Sequence, residues 1–148
     1  ILEEKEASLL WSGSGLMPIE EGSISTVYGT RYYIGDETTT SIRHSGIDIP
    51  ARPGSQVRAV NNGKVMYVGE FADTGVLVII EHGLGLKSWY FHLSESLVSV
   101  GDMVAKGDLI GKIGEITSGQ ESHLHLNLSV NDIYINPEIA LHAPLFLK

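Results

Sequence analysis

The chain contains no cysteine in its 148 residues. That excludes disulfides, zinc–thiolate sites and cysteine nucleophiles together. No apolar run approaches the roughly 18 residues that cross a bilayer, so no membrane span is expected. No secretory signal pattern opens the chain, and it starts at Ile1 rather than Met, which reads as a mature or excised piece of something longer. Positive charge is scarce: 10 Lys and Arg face 18 Asp and Glu, a formal charge of −8. No nucleic-acid partner is expected, since phosphate backbones are bound by clustered basic residues. Anionic surfaces gain no attraction from such a chain.

What is present describes a folded protein. A hydrophobic content of 43% against 19% charged residues suits a globular chain, and the length suits one domain whose core needs no staples. Seventeen glycines and many short β-branched runs point to an all-β fold with tight turns. "ILEEKEASLLW" (Ile1–Trp11) has helix-forming composition and predicts a short helix or the end of a linker. Residues 1–21 are therefore set apart from a domain over 22–148. Strands are predicted around Ser23–Tyr28, Gln56–Val68, Gly75–Glu81, Lys87–Leu93, Leu109–Gly114 and His123–Val130, punctuated by "NNG", "ADTG", "HGLG", "VGD" and "KGD", which tolerate the backbone of turns. The two stretches Pro53–Val65 and Val100–Ile113 echo each other, each running from Gly through an apolar strand start to a second Gly turn. Two similar hairpins would give this pattern. So would a small antiparallel sandwich–barrel hybrid built from duplicated hairpins.

The chemistry-bearing residues are histidines. "HLHLN" (His123–Asn127) alternates, and in a strand successive side chains point to opposite faces. His123, His125 and Asn127 then share one face, and Leu124, Leu126 and Leu128 the other. In "RHSGIDIP", His44 and Asp48 are four residues apart. Gly46, the flanking isoleucines and Pro50 argue against a helix, and a straight strand would hold the two about 13 Å apart. The pair converges only if the backbone folds at Ser45–Gly46, which glycine permits. A catalytic zinc takes three nitrogen or oxygen ligands and leaves its fourth position open. His44, Asp48 and one of the two H-L-H histidines would supply that set, with the other imidazole beside the open position. Spacing alone leaves open which histidine does which.

The remaining candidates read as structural on their own. His92 ends an aromatic strand in "SWYFHLS", His82 sits in the turn "EHGLG", and His142 in the tail "LHAP". No carboxylate pair suggests glycosidase chemistry. "GLGLKS" lacks the spacing of a P-loop, and Lys106 lacks the setting of a carrier lysine.

Taken together and in order, the motifs resemble the lysostaphin/LytM-type zinc endopeptidases of bacterial peptidoglycan. "STVYGTR" is similar to that family's first strand with its aromatic-Gly-x-Arg, and "HSGIDIPARPGSQVRAVNNGKV" to its His-x-Gly-x-Asp block and following hairpin. "SWYFHLS" is similar to its Tyr-x-His-Leu strand. "VGDMVAKGDLIGKIG", "SHLHLN" and "INP" complete the series, and the resemblance runs from about Gly22 to Pro137. It implies one zinc ion per chain held by His44, Asp48 and His125, with His123 and His92 as catalytic histidines that act on the water and stabilise the oxyanion. It also implies a catalytic domain over 22–148, peptidoglycan peptides as substrate, and a place in the bacterial cell envelope, in a longer precursor or envelope protein. A loss of ligands would instead mark a binding or activator module, and all three ligand positions are kept. The chain departs from the family pattern at Leu126 and Asn127, where Phe and Glu are usual, at Ser88, where Thr is usual, and in the polar insertion "YYIGDETTTSIR".

Overall fold

Apolar alternation from Gly75 onward becomes strand in the structure, a computed structural model that describes residues 8–20, 22–33, 41–116 and 121–142. The elements are β1 (Arg31–Tyr33), β2 (Ser41–Arg43), β3 (Ile47–Pro50), β4 (Gln56–Arg58), β5 (Gly63–Phe71), β6 (Gly75–Gly83), β7 (Leu86–Ser96), β8 (Met103–Val104), β9 (Leu109–Ile113), β10 (His123–Val130), β11 (Ile133–Ile135) and the short α1 (Pro137–His142). The fold is all-β and antiparallel. β1 and β2 form a hairpin of their own, while β11, β10, β7, β6, β5 and β8 lie side by side in the main sheet. β10 lies near one end of it: β7 runs along one edge, and β3 and β11 share the other.

The two echoed stretches interlock. The first strand of one, β4, pairs with β9 of the other, and β8 pairs with β5. The equivalence extends to single hydrogen bonds. Gly54 N donates to Ile113 O at 2.8 Å just as Gly101 N donates to Val65 O at 2.8 Å. Both glycines have positive φ, +88° and +96°, a backbone region that only glycine adopts without cost. Each echo thus completes the other's sheet edge.

Inward faces follow the period of two. Ile47 and Ile49 of β3, Tyr90 of β7, Ile80 of β6 and Leu124, Leu126 and Leu128 of β10 are buried in one core cluster. A smaller cluster of Met66, Leu77 and Ile79 on the opposite face packs with Trp89 and Phe91. Three expectations change. Ser8–Trp11 is coil, because its donors go elsewhere: Leu10 N and Trp11 N both donate to His82 O, at 2.6 and 3.2 Å, and the Trp11 indole stands edge-on to the His82 ring. Residues 1–7 of the predicted helix lie outside the described residues. Ser23–Tyr28 forms only a single bridge, Thr26 to Asp48. The helix α1 has no counterpart in the sequence reading.

His82 is also not a turn residue. β6 runs on through it, and the chain reverses two residues later at Leu84 and Gly85, both with positive φ. Its ring is fully buried, with Nδ1 2.7 Å from Asn62 O and Nε2 2.7 Å from the Ser88 hydroxyl. The same oxygen is 2.8 Å from Tyr90 Oη, which accepts from Val60 N. Burial pushes the Tyr90 phenol up to about 12 and the His82 imidazole down to about 4. An unfolded histidine takes its proton near pH 6.5 and the folded one only near 4. Stability is therefore full above pH 6.5 and falls as the pH drops towards 4, by about 3 kcal/mol from this group. Urea unfolding of His82→Gln should show a flatter dependence between pH 6.5 and 4; equal slopes would remove His82 as the cause.

Candidate metal centre

β3 and β10 pair with Asp48 opposite His125 and His123 opposite Pro50. Cross-strand partners point to the same face, so Asp48, His123 and His125 stand together on the side away from Ile47, Ile49 and the leucines. His44 arrives from the stretch between β2 and β3, where the backbone bends at Gly46. The condition set by the sequence is met there. A Cβ at Gly46 would collide with the Leu126 carbonyl and with Asn127 Oδ1, so the close approach of this bend to β10 requires glycine. Residues 25–30 clamp the outer side: Asp48 N donates to Thr26 O at 3.0 Å, and His44 N donates to Thr30 O at 2.8 Å.

The tips converge. His44 Nε2 lies 3.1 Å from Asp48 Oδ1 and 3.1 Å from His125 Nδ1, and His125 Nδ1 lies 2.8 Å from Asp48 Oδ1. Two ligand atoms on a tetrahedral zinc are separated by about 3.4 Å, given bonds of about 2.0–2.1 Å, so this triangle is close to the size the ion needs. Among the described residues these three form a group able to hold a metal ion. Side-chain exposures of 8% for His44 and 15% for Asp48 and His125 keep the centre largely desolvated but open on one side.

Protons are excluded from the middle of that triangle. His44 Nδ1 is 3.1 Å from the Val27 carbonyl, which only accepts, so Nδ1 carries the hydrogen and Nε2 a lone pair. His125 Nε2 is 2.7 Å from Asn127 Oδ1, so its Nδ1 likewise presents a lone pair. Burial alone would raise the Asp48 pKa, but the imidazoles of His125, His44 and His123 crowded around its carboxylate bring it below the ordinary carboxylate value, and its Oδ1 is the third donor. Three electron pairs thus face one point, an arrangement that a cation resolves. Two imidazole nitrogens and one carboxylate oxygen are a donor set that zinc accepts.

The other two histidines flank the centre. His123 Nδ1 is 2.8 Å from the Glu121 carbonyl, which directs its Nε2 inward, 3.6 Å from Asp48 Oδ1. His92 faces His123 with ring centroids 5.0 Å apart and His125 at 6.4 Å. Its orientation departs from strand periodicity. Alternation along β7 would send His92 inward with Tyr90, but its φ of +72° breaks the alternation. Phe91 and His92 both reach the metal side, and Leu93 is buried instead. A non-glycine residue in this region is strained, and such strain collects at functional sites. Burial first, then the neighbouring His123 and His125, lower the His92 pKa to about 4. Its ring is neutral at neutral pH.

The sequence model of peptidase family M23 matches residues 42–137, a span that holds all five of these side chains. The chain belongs to that family. Among M23 relatives it is 31% identical over 145 residues to the DD-carboxypeptidase/endopeptidase Mpg of Neisseria meningitidis, covering 97% of this chain and 32% of that protein. It is 29% identical over 136 residues to the murein hydrolase activator EnvC of Escherichia coli, covering 91% and 32%. The catalytic domain of the antimicrobial peptidase lysostaphin from Staphylococcus simulans superposes with a TM-score of 0.69 at 27% identity, over 82% of this chain and 93% of that one. The chain spans about a third of the length of the first two proteins.

All five predicted residues meet in one place. His142 is on the last turn of α1 beside Glu138. Sequence reasoning missed the groups behind two of the histidines, the Val27 carbonyl behind His44 and the Glu121 carbonyl behind His123. Backbone acceptors leave no signal in residue identity.

Proposed function

We propose that the protein is a zinc-dependent endopeptidase that cleaves peptides of bacterial peptidoglycan and works in the cell envelope. His44, Asp48 and His125 hold the ion, and residues 22–148 form the catalytic domain. The observation that carries the reading is the convergence of His44 Nε2, Asp48 Oδ1 and His125 Nδ1 to within 3.1 Å of one another. Zinc bound there would polarise a peptide carbonyl and lower the pKa of water to about 7.

The chain's own groups account for the proton movements. His123 Nε2 takes a proton from the attacking water as its oxygen bonds to the carbonyl carbon, and returns it to the amide nitrogen as the carbon–nitrogen bond breaks. The Glu121 carbonyl keeps the opposite nitrogen protonated, so the basic nitrogen is the one that faces the site. His92, whose ring faces His123, is assigned to the oxyanion of the tetrahedral intermediate, which it stabilises once the nitrogen facing the site carries a proton.

Likeness to EnvC supports a second reading, an activator or peptidoglycan-binding module without turnover of its own. The intact set of five side chains supports the first. One experiment separates them. Purified protein is assayed for zinc and incubated with isolated sacculi, and released muropeptides are identified by mass spectrometry. One zinc per chain and a release that stops with a chelator are expected; a zinc-free protein that releases nothing would sink the enzyme reading. The mass of the products also identifies the bond cut.

A further inference from the structure

Each ligand imidazole offers the centre one nitrogen and ties the other to an acceptor, but the two acceptors differ in kind. For His44 it is the carbonyl of Val27, which no substitution removes. For His125 it is the side chain of Asn127. An amide has two ends. With Oδ1 towards His125, the ring proton sits on Nε2 and Nδ1 is open to an ion. With the NH2 end there, Nε2 would have to accept and the proton would sit on Nδ1, in the middle of the metal triangle.

The structure has the first orientation. Asn127 is buried, and Oδ1 is 2.7 Å from His125 Nε2. The Ser45 hydroxyl approaches the same oxygen at 3.4 Å, and Gly46 presses against it from the loop that carries His44. Ser45 and Gly46 come from the segment between two ligands, and Asn127 from the strand of the third. The amide therefore ties the two halves of the site together. It also accepts without charge. A carboxylate in its place would pull harder on the ring proton and make Nδ1 a stronger ligand, since partners behind a ligating histidine raise its basicity.

We propose that Asn127 is the positioning residue that commits His125 to bind the ion through Nδ1, and that its neutral amide sets the ion's affinity below what an isosteric carboxylate would give. The proposal rests on the zinc reading above and deepens it.

The test uses zinc itself, titrated against a chromophoric chelator, together with 15N spectra of the histidine rings in metal-free protein at neutral pH. Asn127→Ala should weaken zinc binding about 10–100-fold and release the His125 proton from Nε2 into a mixture of tautomers. Asn127→Asp should restore the Nε2 proton and bind zinc more tightly than the wild type; an equal or weaker affinity overturns the claim about the neutral amide. Because the ring spectrum is read without metal and without turnover, a mere loss of packing in the alanine variant would not reproduce both results or their rescue by aspartate. Equal zinc affinity in wild type and Asn127→Ala, or a wild-type His125 protonated on Nδ1, overturns the role of Asn127 and leaves the zinc reading standing. A wild-type protein that binds no zinc overturns both.

Discussion

His123→Ala should keep one zinc per chain and lose about 10²–10⁴-fold in turnover, the usual share of a positioned acid–base group. His44→Ala should lose the ion, and with it all turnover. The contrast follows from where the ring nitrogens point. His44 Nε2 is one corner of the donor triangle at 3.1 Å from both others, and without it two donors remain where catalytic zinc takes three. His123 Nε2 lies 3.6 Å from Asp48 Oδ1 but is not among the three donor atoms that converge on one point, which places it to act on a water there. Metal content by atomic absorption and muropeptide release measured on the same samples decide the matter. Equal loss of metal from both variants would show that the division between holding and reacting is wrong.

Gly46→Ala should be nearly as damaging, though the residue bears no chemistry. The added methyl would overlap the Leu126 carbonyl and Asn127 Oδ1, and the Leu126 backbone cannot move without opening the pairing of β3 with β10 that sets Asp48 opposite His125. A cost of about 3 kcal/mol is expected, at the upper end for overpacking, together with loss of zinc. Gly63→Ala is the control. Its methyl would also meet backbone, the Glu81 carbonyl at 2.6 Å, but on β5, away from the centre. Both variants should unfold at lower urea concentration. Only Gly46→Ala should fail to bind zinc while folded; zinc binding by folded Gly46→Ala would contradict the close approach.

How much of this was readable depended on range. The two faces of "HLHLN" were legible because alternation is a local property of extended backbone, and β10 begins and ends where the pattern does. The convergence of His44 and Asp48 was legible as a condition, since Gly46 announced a bend without saying against what. His92 was misread from its own residues for a definite reason. The pattern puts it inward beside Tyr90, and one left-handed φ turns it outward. Only the family resemblance pointed to it. His82 was assigned to a turn because Gly83 and Gly85 follow it, yet the burial of β6 and the docked Ser8–Trp11 segment make it part of the interior. The two echoed glycine stretches were visible, but not the exchange of strands between them, which joins residues about fifty positions apart.

By itself the sequence determined the class of the fold and the polar face of β10 with His123, His125 and Asn127, because residue type and period two are written locally. The tertiary structure decided which nitrogen each of His44, His123 and His125 turns towards the site. That choice belongs to whatever lies behind the ring, here the carbonyls of Val27 and Glu121 and the amide of Asn127, and such partners are brought there only when distant segments pack.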